Sequence, residues 1–346
     1  MLFHNLSIFV PSGTIFDKLW NGVIEAGWVG VQLFFVLSGF LITGILLDDR
    51  GKPRAVRVFY IRRALRIFPL YYALLFVYFV VLPPFFPFLG RPLREVVWYA
   101  VYLSNWSWLV YGILPGIGHL WSLAVEEQFY LVWPWAARRG PRVLAWISLG
   151  VVIGSLVVRG VLHRLHYDDL WLYSATVCRA DALAMGALVA IALRSDEWRP
   201  RLLRLVKPAF AAASLLLLAL MAVTHGLNRN NPLMQIWGYS LIAIGSSALV
   251  AMAAETAGPP SPRLHSRVLR FFGKYSYGMY LVHPPLKHVA LYFQRAPLDA
   301  AVAARPIVAD AAFIAAISCA TIVVALLTWR FIERPLLGLK DRLAPR

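Results

Sequence analysis

Residues 119–134, HLWSLAVEEQFYLVWP, place ionisable side chains inside a run apolar enough to enter a lipid bilayer. At 100° per residue, the polar members form one helical stripe with a carboxylate beside it: His119, Ser122, Glu126, Tyr130 and the adjacent Glu127. A charge at the bilayer centre costs roughly 2.5–3.5 kcal/mol on insertion scales, so such residues usually line a protein interior or a wet cavity. The stripe predicts acid–base chemistry in a helix bundle. The alternative is a hydrogen-bonded network that only joins helices.

A second group of candidate residues lies in VFYIRRALRIFPLYY, residues 58–72. Arg62 and Arg63 both fall within four residues of Arg66, so the three guanidinium groups cluster at the predicted cytoplasmic mouth of a span. Guanidinium groups match phosphate oxygens in a bidentate fork, which favours a phosphorylated cytosolic ligand. The alternative is ordinary anchoring to lipid phosphates.

A third group lies in FFGKYSYGMYLVHPPL, residues 271–286. Tyr280 and His283 share a helix face there, and Pro284–Pro285 predicts a break in the helix just after the histidine. A broken membrane helix exposes backbone groups that protein or water must satisfy. By contrast, residues 27–47 predict a packing span, because residues such as Gly39 allow close helix approach.

The composition identifies the class of protein that must position these residues. Of 346 residues, 60% are hydrophobic and 15% are charged, whereas a soluble domain is about half apolar and a quarter charged. We therefore expect an all-α, polytopic integral membrane protein. A net charge of +17 would suggest nucleic acid in a soluble protein, but no nucleic-acid partner is expected here. Cys178 and Cys319 lie in apolar segments, and neither predicts a disulfide or a metal site.

The apolar segments predict about ten transmembrane helices, of which the first is truncated. A span needs about 20 apolar residues, and nine segments qualify: 28–47, 67–83, 119–137, 143–162, 175–193, 207–224, 235–254, 275–294 and 308–329. Residues 1–10 resemble the tail of a further helix whose beginning is missing, and this favours a true start upstream of Met1. A short interfacial N-terminus is the alternative. Polar residues interrupt 95–113, which is predicted to be re-entrant or interfacial.

The distribution of basic residues predicts the topology. Alternate connections hold 24 of the 34 lysines and arginines, and the intervening set holds 8. Because basic residues accumulate in cytoplasmic loops, the first set, which includes the tail 330–346, is predicted to be cytoplasmic. The protein is expected in the bacterial inner membrane with a cytoplasmic C-terminus and lipids as its surroundings.

Several of these stretches resemble the acyltransferase-3 family of integral-membrane O-acyltransferases. The matching stretches occur in order and cover nearly the whole chain: GVQLFFVLSGFLIT, FYIRRALRIFPLYY, HLWSLAVEEQFYLVWP, SYGMYLVHPPL and FIERPLL. The chain is expected to form a single membrane-embedded acyltransferase domain over 1–346, and the pattern along the sequence predicts no appended soluble domain. The resemblance implies transfer of an acyl group, commonly acetyl from acyl-CoA, to a hydroxyl of an envelope or extracellular carbohydrate, either free or lipid-linked. Acyl-CoA is then a co-substrate, and no bound cofactor or metal is expected.

The resemblance also implies roles for individual residues. The family's essential histidine maps onto His4, and its arginine motif maps onto Arg62, Arg63 and Arg66 as the acyl-CoA-binding group. The motif at 119–130 and RADALAMGALVA at 179–190 supply further matches: His119, Trp121, Ser122, Glu126, Glu127, Arg179 and Asp181. Family members carry an arginine about ten residues before the histidine, a point that precedes Met1 in this chain.

These residues suit attack by a sugar hydroxyl on a thioester, because an alcohol needs a base at neutral pH. His4 is predicted to be that base or a transient acyl carrier, supported by Glu126 or Glu127. His119, Trp121, Ser122, Tyr130, Arg179, Asp181, Tyr280 and His283 are predicted supporting residues. Two alternatives remain open: a transporter or flippase, which intramembrane charges would also serve, and a catalytically inactive truncated relative.

Overall fold

The computed structural model describes residues 14–224, 226–255 and 266–345, without the side chains of 88, 294–304 and 306, and the regular structure in these residues is entirely helical. The α-helices are α1 Ile15–Glu25, α2 Val29–Asp48, α3 Ala55–Phe76, α4 Leu93–Ala100, α5 Ser104–Tyr111, α6 Leu120–Ala137, α7 Pro141–Arg164, α8 Asp169–Ser174, α9 Thr176–Leu193, α10 Trp198–Thr224, α11 Tyr239–Glu255, α12 Arg267–Ala304, α13 Pro306–Thr328, α14 Arg334–Leu337 and α15 Lys340–Leu343. Short 3₁₀ turns occupy Ala26–Trp28 and Pro87–Leu89, and π-helical turns occupy Val77–Val81, Met234–Gly238 and Trp329–Glu333.

Seven helical stretches within the described residues are long and apolar enough to cross a membrane: Ile15–Asp48, Ala55–Val81, Pro141–Arg164, Asp169–Leu193, Trp198–Thr224, Met234–Glu255 and Ile307–Leu343. The multi-pass prediction agrees with this set, but the count of about ten is not confirmed. Two predicted spans, 119–137 and 275–294, form helices that fall outside it, and both carry charged and polar residues that lower hydropathy. The predicted clipped span at 1–10 lies outside the described residues.

The interrupted segment 95–113 does not form one long helix. It consists of α4 and α5, each of eight residues, separated by residues 101–103. Eight residues extend about 12 Å, far short of a hydrocarbon core about 30 Å thick. Neither helix can cross alone, in agreement with the re-entrant or interfacial prediction.

The chain divides into two compact units. The first contains the described parts of Met1–Gly27, Arg57–Leu120 and Arg267–Arg346, and the second contains those of Trp28–Val56 and Trp121–Ser266. In the first unit α12 packs along α13. There the indole of Trp20 donates a hydrogen bond to Asp310 at 2.8 Å, so a buried carboxylate on α13 is bound to α1.

In the second unit α9 is the central helix, packed on α2, α7 and α11. A Cβ built on Gly39 would overlap the carbonyl of Leu183, and one on Gly186 would overlap the carbonyl of Val36. The backbones of α2 and α9 therefore touch where each carries a glycine. Small residues allow this approach in membranes, where packing drives helix association. The prediction of close approach at Gly39 is confirmed.

Candidate active site

Helix α6 carries the predicted polar stripe on a buried face of the second unit. Ser122, Glu126 and Tyr130 are all buried, whereas Glu127 is half-buried. Tyr130 hydrogen-bonds Ser38 of α2, and the indole of Trp133 donates to the hydroxyl of Thr43 at 2.8 Å. The stripe therefore combines two functions: its C-terminal half holds α6 against α2, and its N-terminal half buries a carboxylate in a membrane protein's interior.

The first unit holds a cluster of three side chains around His119, which immediately precedes α6. The imidazole of His119 lies 5.0 Å from the ring of Tyr280 and 5.4 Å from that of His283, between centroids. The hydroxyl of Tyr280 donates to the carbonyl of His119 at 2.5 Å. Both histidines are buried. The structure thus brings together three predicted supporting residues, of which His119 and Tyr280 lie 161 positions apart in the sequence.

The predicted break after His283 is wrong, because α12 continues through Pro284 and Pro285. Prolines lack the N–H that would bond the carbonyls four residues earlier, those of Tyr280 and Leu281. The Nδ1 of His283 lies 3.1 Å from the carbonyl oxygen of Met279, within hydrogen-bond distance. Proline is tolerated within membrane helices where neighbouring helices and side chains satisfy the freed backbone groups. His283 therefore has a structural task whatever else it does.

The arginine cluster lies on α3 in the first unit, and its three members are half-buried. Arg62 is engaged by the C-terminal segment: its Nε donates to the carbonyl of Ala344 at 2.9 Å, and its Nη2 lies 3.1 Å from the carboxylate of Asp341. Arg66 acts electrostatically on Glu333, a buried residue of the last π-helical turn. The cluster is therefore a mixed-charge site in which Arg62 already has an anionic partner.

A buried ion pair in the second unit was missed by the sequence analysis. Arg159 lies inside α7 and is fully buried. Its Nη1 donates to the carboxylate of Asp181 at 2.8 Å, and its Nη2 donates to the hydroxyl of Ser240 at 2.6 Å. Asp181 is thus a partner of Arg159. The sequence does contain a signal for the burial of Arg159, because apolar residues lie on both sides of it.

Arg179, two residues before Asp181, lies among aromatic rings of the same unit. Its guanidinium carbon is 4.2 Å from the ring centre of Tyr239, 5.4 Å from that of Tyr173 and 5.6 Å from that of Trp121. Trp121, a predicted supporting residue, is therefore a cation–π partner of Arg179. His4, the predicted base, lies outside the described residues.

Seven candidate spans together with buried carboxylates, histidines and arginines define a multi-pass membrane protein with ionisable residues in its interior. Such residues in membrane helices mark functional sites by default. The family model described as "acyltransferase domain" matches residues 1–330. The chain therefore belongs to that acyltransferase family.

Three relatives are similar along most of the chain. Peptidoglycan O-acetyltransferase OatA of Listeria monocytogenes is 30% identical over 333 residues, covering 90% of this chain and 51% of the relative. Putative peptidoglycan O-acetyltransferase YrhL of Bacillus subtilis is 30% identical, and the match covers 76% of this chain and 44% of the relative. O-acetyltransferase OatA of Staphylococcus aureus is 27% identical, and the match covers 81% of this chain and 49% of the relative. The chain spans about half the length of these relatives. No solved structure matches it significantly.

Proposed function

We propose that this chain is a membrane O-acetyltransferase that moves an acetyl group from cytoplasmic acetyl-CoA to a hydroxyl of a cell-envelope carbohydrate. Family membership supports acyl transfer, and relatives named peptidoglycan O-acetyltransferases support a cell-wall glycan, free or lipid-linked, as the acceptor. The protein would act as one acyltransferase domain in the bacterial inner membrane, with its C-terminus in the cytoplasm. The observation that carries the proposal is the buried carboxylate of Glu126 on α6.

The reaction is an acyl substitution. The acceptor oxygen attacks the thioester carbonyl carbon, an ester C–O bond forms, and the C–S bond breaks. The hydroxyl proton passes to a base, and the departing thiolate takes up a proton to give free CoA. His4 is the proposed base, or the group that carries the acetyl between two such substitutions. Glu126, with Glu127 beside it, would stabilise the protonated imidazole that forms.

Glu126→Gln tests the carboxylate, because glutamine keeps the size and hydrogen-bonding capacity of the side chain but removes its charge. We expect acceptor-dependent release of CoA to fall at least 100-fold, while the melting temperature of the detergent-purified protein stays near that of the wild type. The matched control is Glu197→Gln, an exposed glutamate paired with Arg201 at 2.9 Å, which should retain full activity. Equal loss of folded protein and activity in Glu126→Gln would assign the residue to helix packing instead.

The arginine cluster on α3 is the proposed binding site for the CoA phosphates. Because Asp341 and the Ala344 carbonyl already occupy Arg62, we expect Arg66 to contribute more. Arg66→Ala should raise the KM for acetyl-CoA at least tenfold, and Arg62→Ala by less. Initial-rate kinetics at saturating acceptor measure this order. A larger effect of Arg62→Ala than of Arg66→Ala would contradict it.

One measurement separates this proposal from the two alternative functions. A transporter, or an inactive relative, releases no CoA in response to an acceptor. Reconstituted protein would be supplied with acetyl-CoA and cell-wall glycan fragments, and O-acetyl groups on the glycan would be detected by NMR. If none of the glycan fragments tried becomes acetylated, the proposal that this chain is an acetyltransferase is wrong.

A further inference from the structure

Arg179 is a fully buried cation whose N–H groups find no acceptor among the described residues. It is 0% exposed, and within those residues no atom accepts a hydrogen bond from its Nε, Nη1 or Nη2. Burying an unpaired charge costs several kcal/mol in proteins generally. Buried polar groups left unsatisfied are rare, and a bound ion or a catalytic task is among the explanations for them. The acyl-transfer step proposed above does not use this guanidinium.

The nearest carboxylate on the same helix does not neutralise Arg179. Asp181 is bound by Arg159 at 2.8 Å, accepts from the hydroxyl of Ser240 at 3.2 Å and accepts from the backbone N–H of Ala182 at 2.9 Å. Arg159 and Asp181 therefore form a self-contained neutral pair. Arg179 makes no ion pair with any described residue, and its positive charge is available to a ligand.

The surroundings of Arg179 form an aromatic cage, defined by Phe35, Trp121, Tyr173 and Tyr239. The ring centres lie 4.2–6.0 Å from the guanidinium carbon. The rings also brace one another: Trp121 contacts Tyr173 at 4.8 Å and Phe35 at 6.0 Å between centroids. Stacking occupies the face of a guanidinium, whereas its N–H donors lie in its plane. The cage thus stabilises the cation while leaving its donors unused.

We infer that Arg179 and its aromatic cage bind a carboxylate-bearing ligand. A carboxylate presents two oxygens in one plane, which matches the planar fork of the guanidinium. Four flat rings surround the guanidinium carbon within 6.0 Å, and we expect such surroundings to favour this flat anion over a tetrahedral phosphate. The site lies wholly within the second unit and shares no residue with the arginine cluster on α3.

A second guanidinium near the cage is consistent with an anionic ligand. Arg229 is half-buried and lies 4.7 Å from the ring centre of Tyr173, which also contacts Arg179. The hydroxyl of Tyr239 donates to the backbone carbonyl of Arg229 at 2.9 Å, so the loop that carries Arg229 is fastened to the cage. Two like charges that share an aromatic neighbour raise the local concentration of anions.

The test is the thermal stability of the full chain, purified in a non-ionic detergent, as sodium acetate replaces sodium chloride at constant ionic strength. A ligand that binds only the folded state raises the melting temperature as its concentration rises above the Kd. We expect a saturating rise of several degrees for the wild type in acetate and a smaller rise in phosphate. An unresponsive wild type, or a larger response to phosphate than to acetate, would overturn the assignment.

Arg179→Gln should lose the response to acetate. Its melting temperature in chloride should equal or exceed that of the wild type, because an uncompensated charge has been removed. Arg201→Gln, which removes an exposed arginine of the same unit, should keep the response. A full response in Arg179→Gln, or a lower melting temperature in chloride without loss of that response, would show that Arg179 is only structural.

If Arg179→Gln does not accumulate as folded protein, Arg179→Lys is tested in its place. Lysine keeps the charge but lacks the planar, bidentate guanidinium, so the rise in melting temperature with acetate should fall by at least half. A rise as large as that of the wild type would overturn the inference. The assay needs neither acyl donor nor acceptor. A wild type that binds acetate yet transfers no acetyl group would therefore remove the proposed function and leave this site intact.

Discussion

His283 shows how one side chain can serve the backbone and a site at the same time. Its Nδ1 lies 3.1 Å from the carbonyl oxygen of Met279, one turn earlier in α12, and its ring lies 5.4 Å from that of His119. A buried hydrogen bond contributes about 1 kcal/mol. A histidine to alanine change there would therefore reduce stability before it revealed anything about chemistry.

The double variant His119→Ala, His283→Ala tests whether the two imidazoles act together. Each single variant should lower the free energy of unfolding by about 1 kcal/mol or more, because each removes a buried ring. Since the two rings lie 5.4 Å apart between centroids, the double variant should lose less than the sum of the two, by at least about 0.5 kcal/mol. Thermal melts of the four proteins in detergent measure the coupling. His163→Ala, at the end of α7, is the matched control and should change stability little.

Strictly additive losses would show that the two imidazoles do not act together. Acetyl transfer measured on the same proteins adds a second readout. If a single variant stays folded while transfer is lost, that histidine contributes to the chemistry as well as to stability.

Helices α2 and α9 are positioned by two glycines rather than by large side chains. A Cβ at Gly39 or Gly186 would overlap a backbone carbonyl of the opposing helix, and a carbonyl cannot move aside as a flexible side chain can. The same crossing places Phe35 of α2 beside Arg179 of α9. The separation of these helices therefore controls both the core of the second unit and the aromatic cage.

Gly39→Ala should be strongly destabilising because it forces α2 and α9 apart. We expect a loss of at least 2 kcal/mol, seen as a lower melting temperature and a reduced yield of monodisperse protein by size-exclusion chromatography. Gly154→Ala on α7 is the control, since a Cβ there meets nothing within 4 Å. That variant should be neutral or stabilising by up to about 1 kcal/mol, because alanine favours a helix over glycine. Equal behaviour of the two variants would contradict the close crossing.

At the scale of the whole molecule, the distribution of positive charge predicts which ends of the helices face the cytoplasm. The set of connections predicted to be cytoplasmic holds 24 basic residues and the alternate set holds 8. Helix α10, with 27 residues, extends about 40 Å and can span the bilayer. Its two flanks should therefore lie on opposite sides of the membrane.

Single cysteines at the ends of α10 test this topology. Asp196 and Asn230 are both exposed and flank the helix. With Cys178→Ala and Cys319→Ala as background, a membrane-impermeant maleimide should label Asn230→Cys in intact spheroplasts. It should label Asp196→Cys only after lysis. Labelling of both in intact spheroplasts would show that α10 does not cross, and the reverse order would invert the predicted topology.

The sequence alone determined the features that depend on local patterns. Apolar runs of sufficient length predicted helices at all nine segments, because a membrane helix satisfies its own backbone. The 3.6-residue period predicted that Ser122, Glu126 and Tyr130 share a buried face, and all three are buried. Glycine in an apolar helix predicted close approach at Gly39. The roles of these residues in catalysis stay predictions.

Only the tertiary structure decided which residues are partners, because partners are far apart in sequence. Asp181 pairs with Arg159 across 22 positions, and Arg62 reaches Asp341 across 279. A local rule failed at Pro284–Pro285, since α12 continues through both prolines while it packs along α13. The same holds for Arg179: its sequence neighbour Asp181 suggests a pair, but three-dimensional packing gives that carboxylate to Arg159 and surrounds Arg179 with aromatic rings.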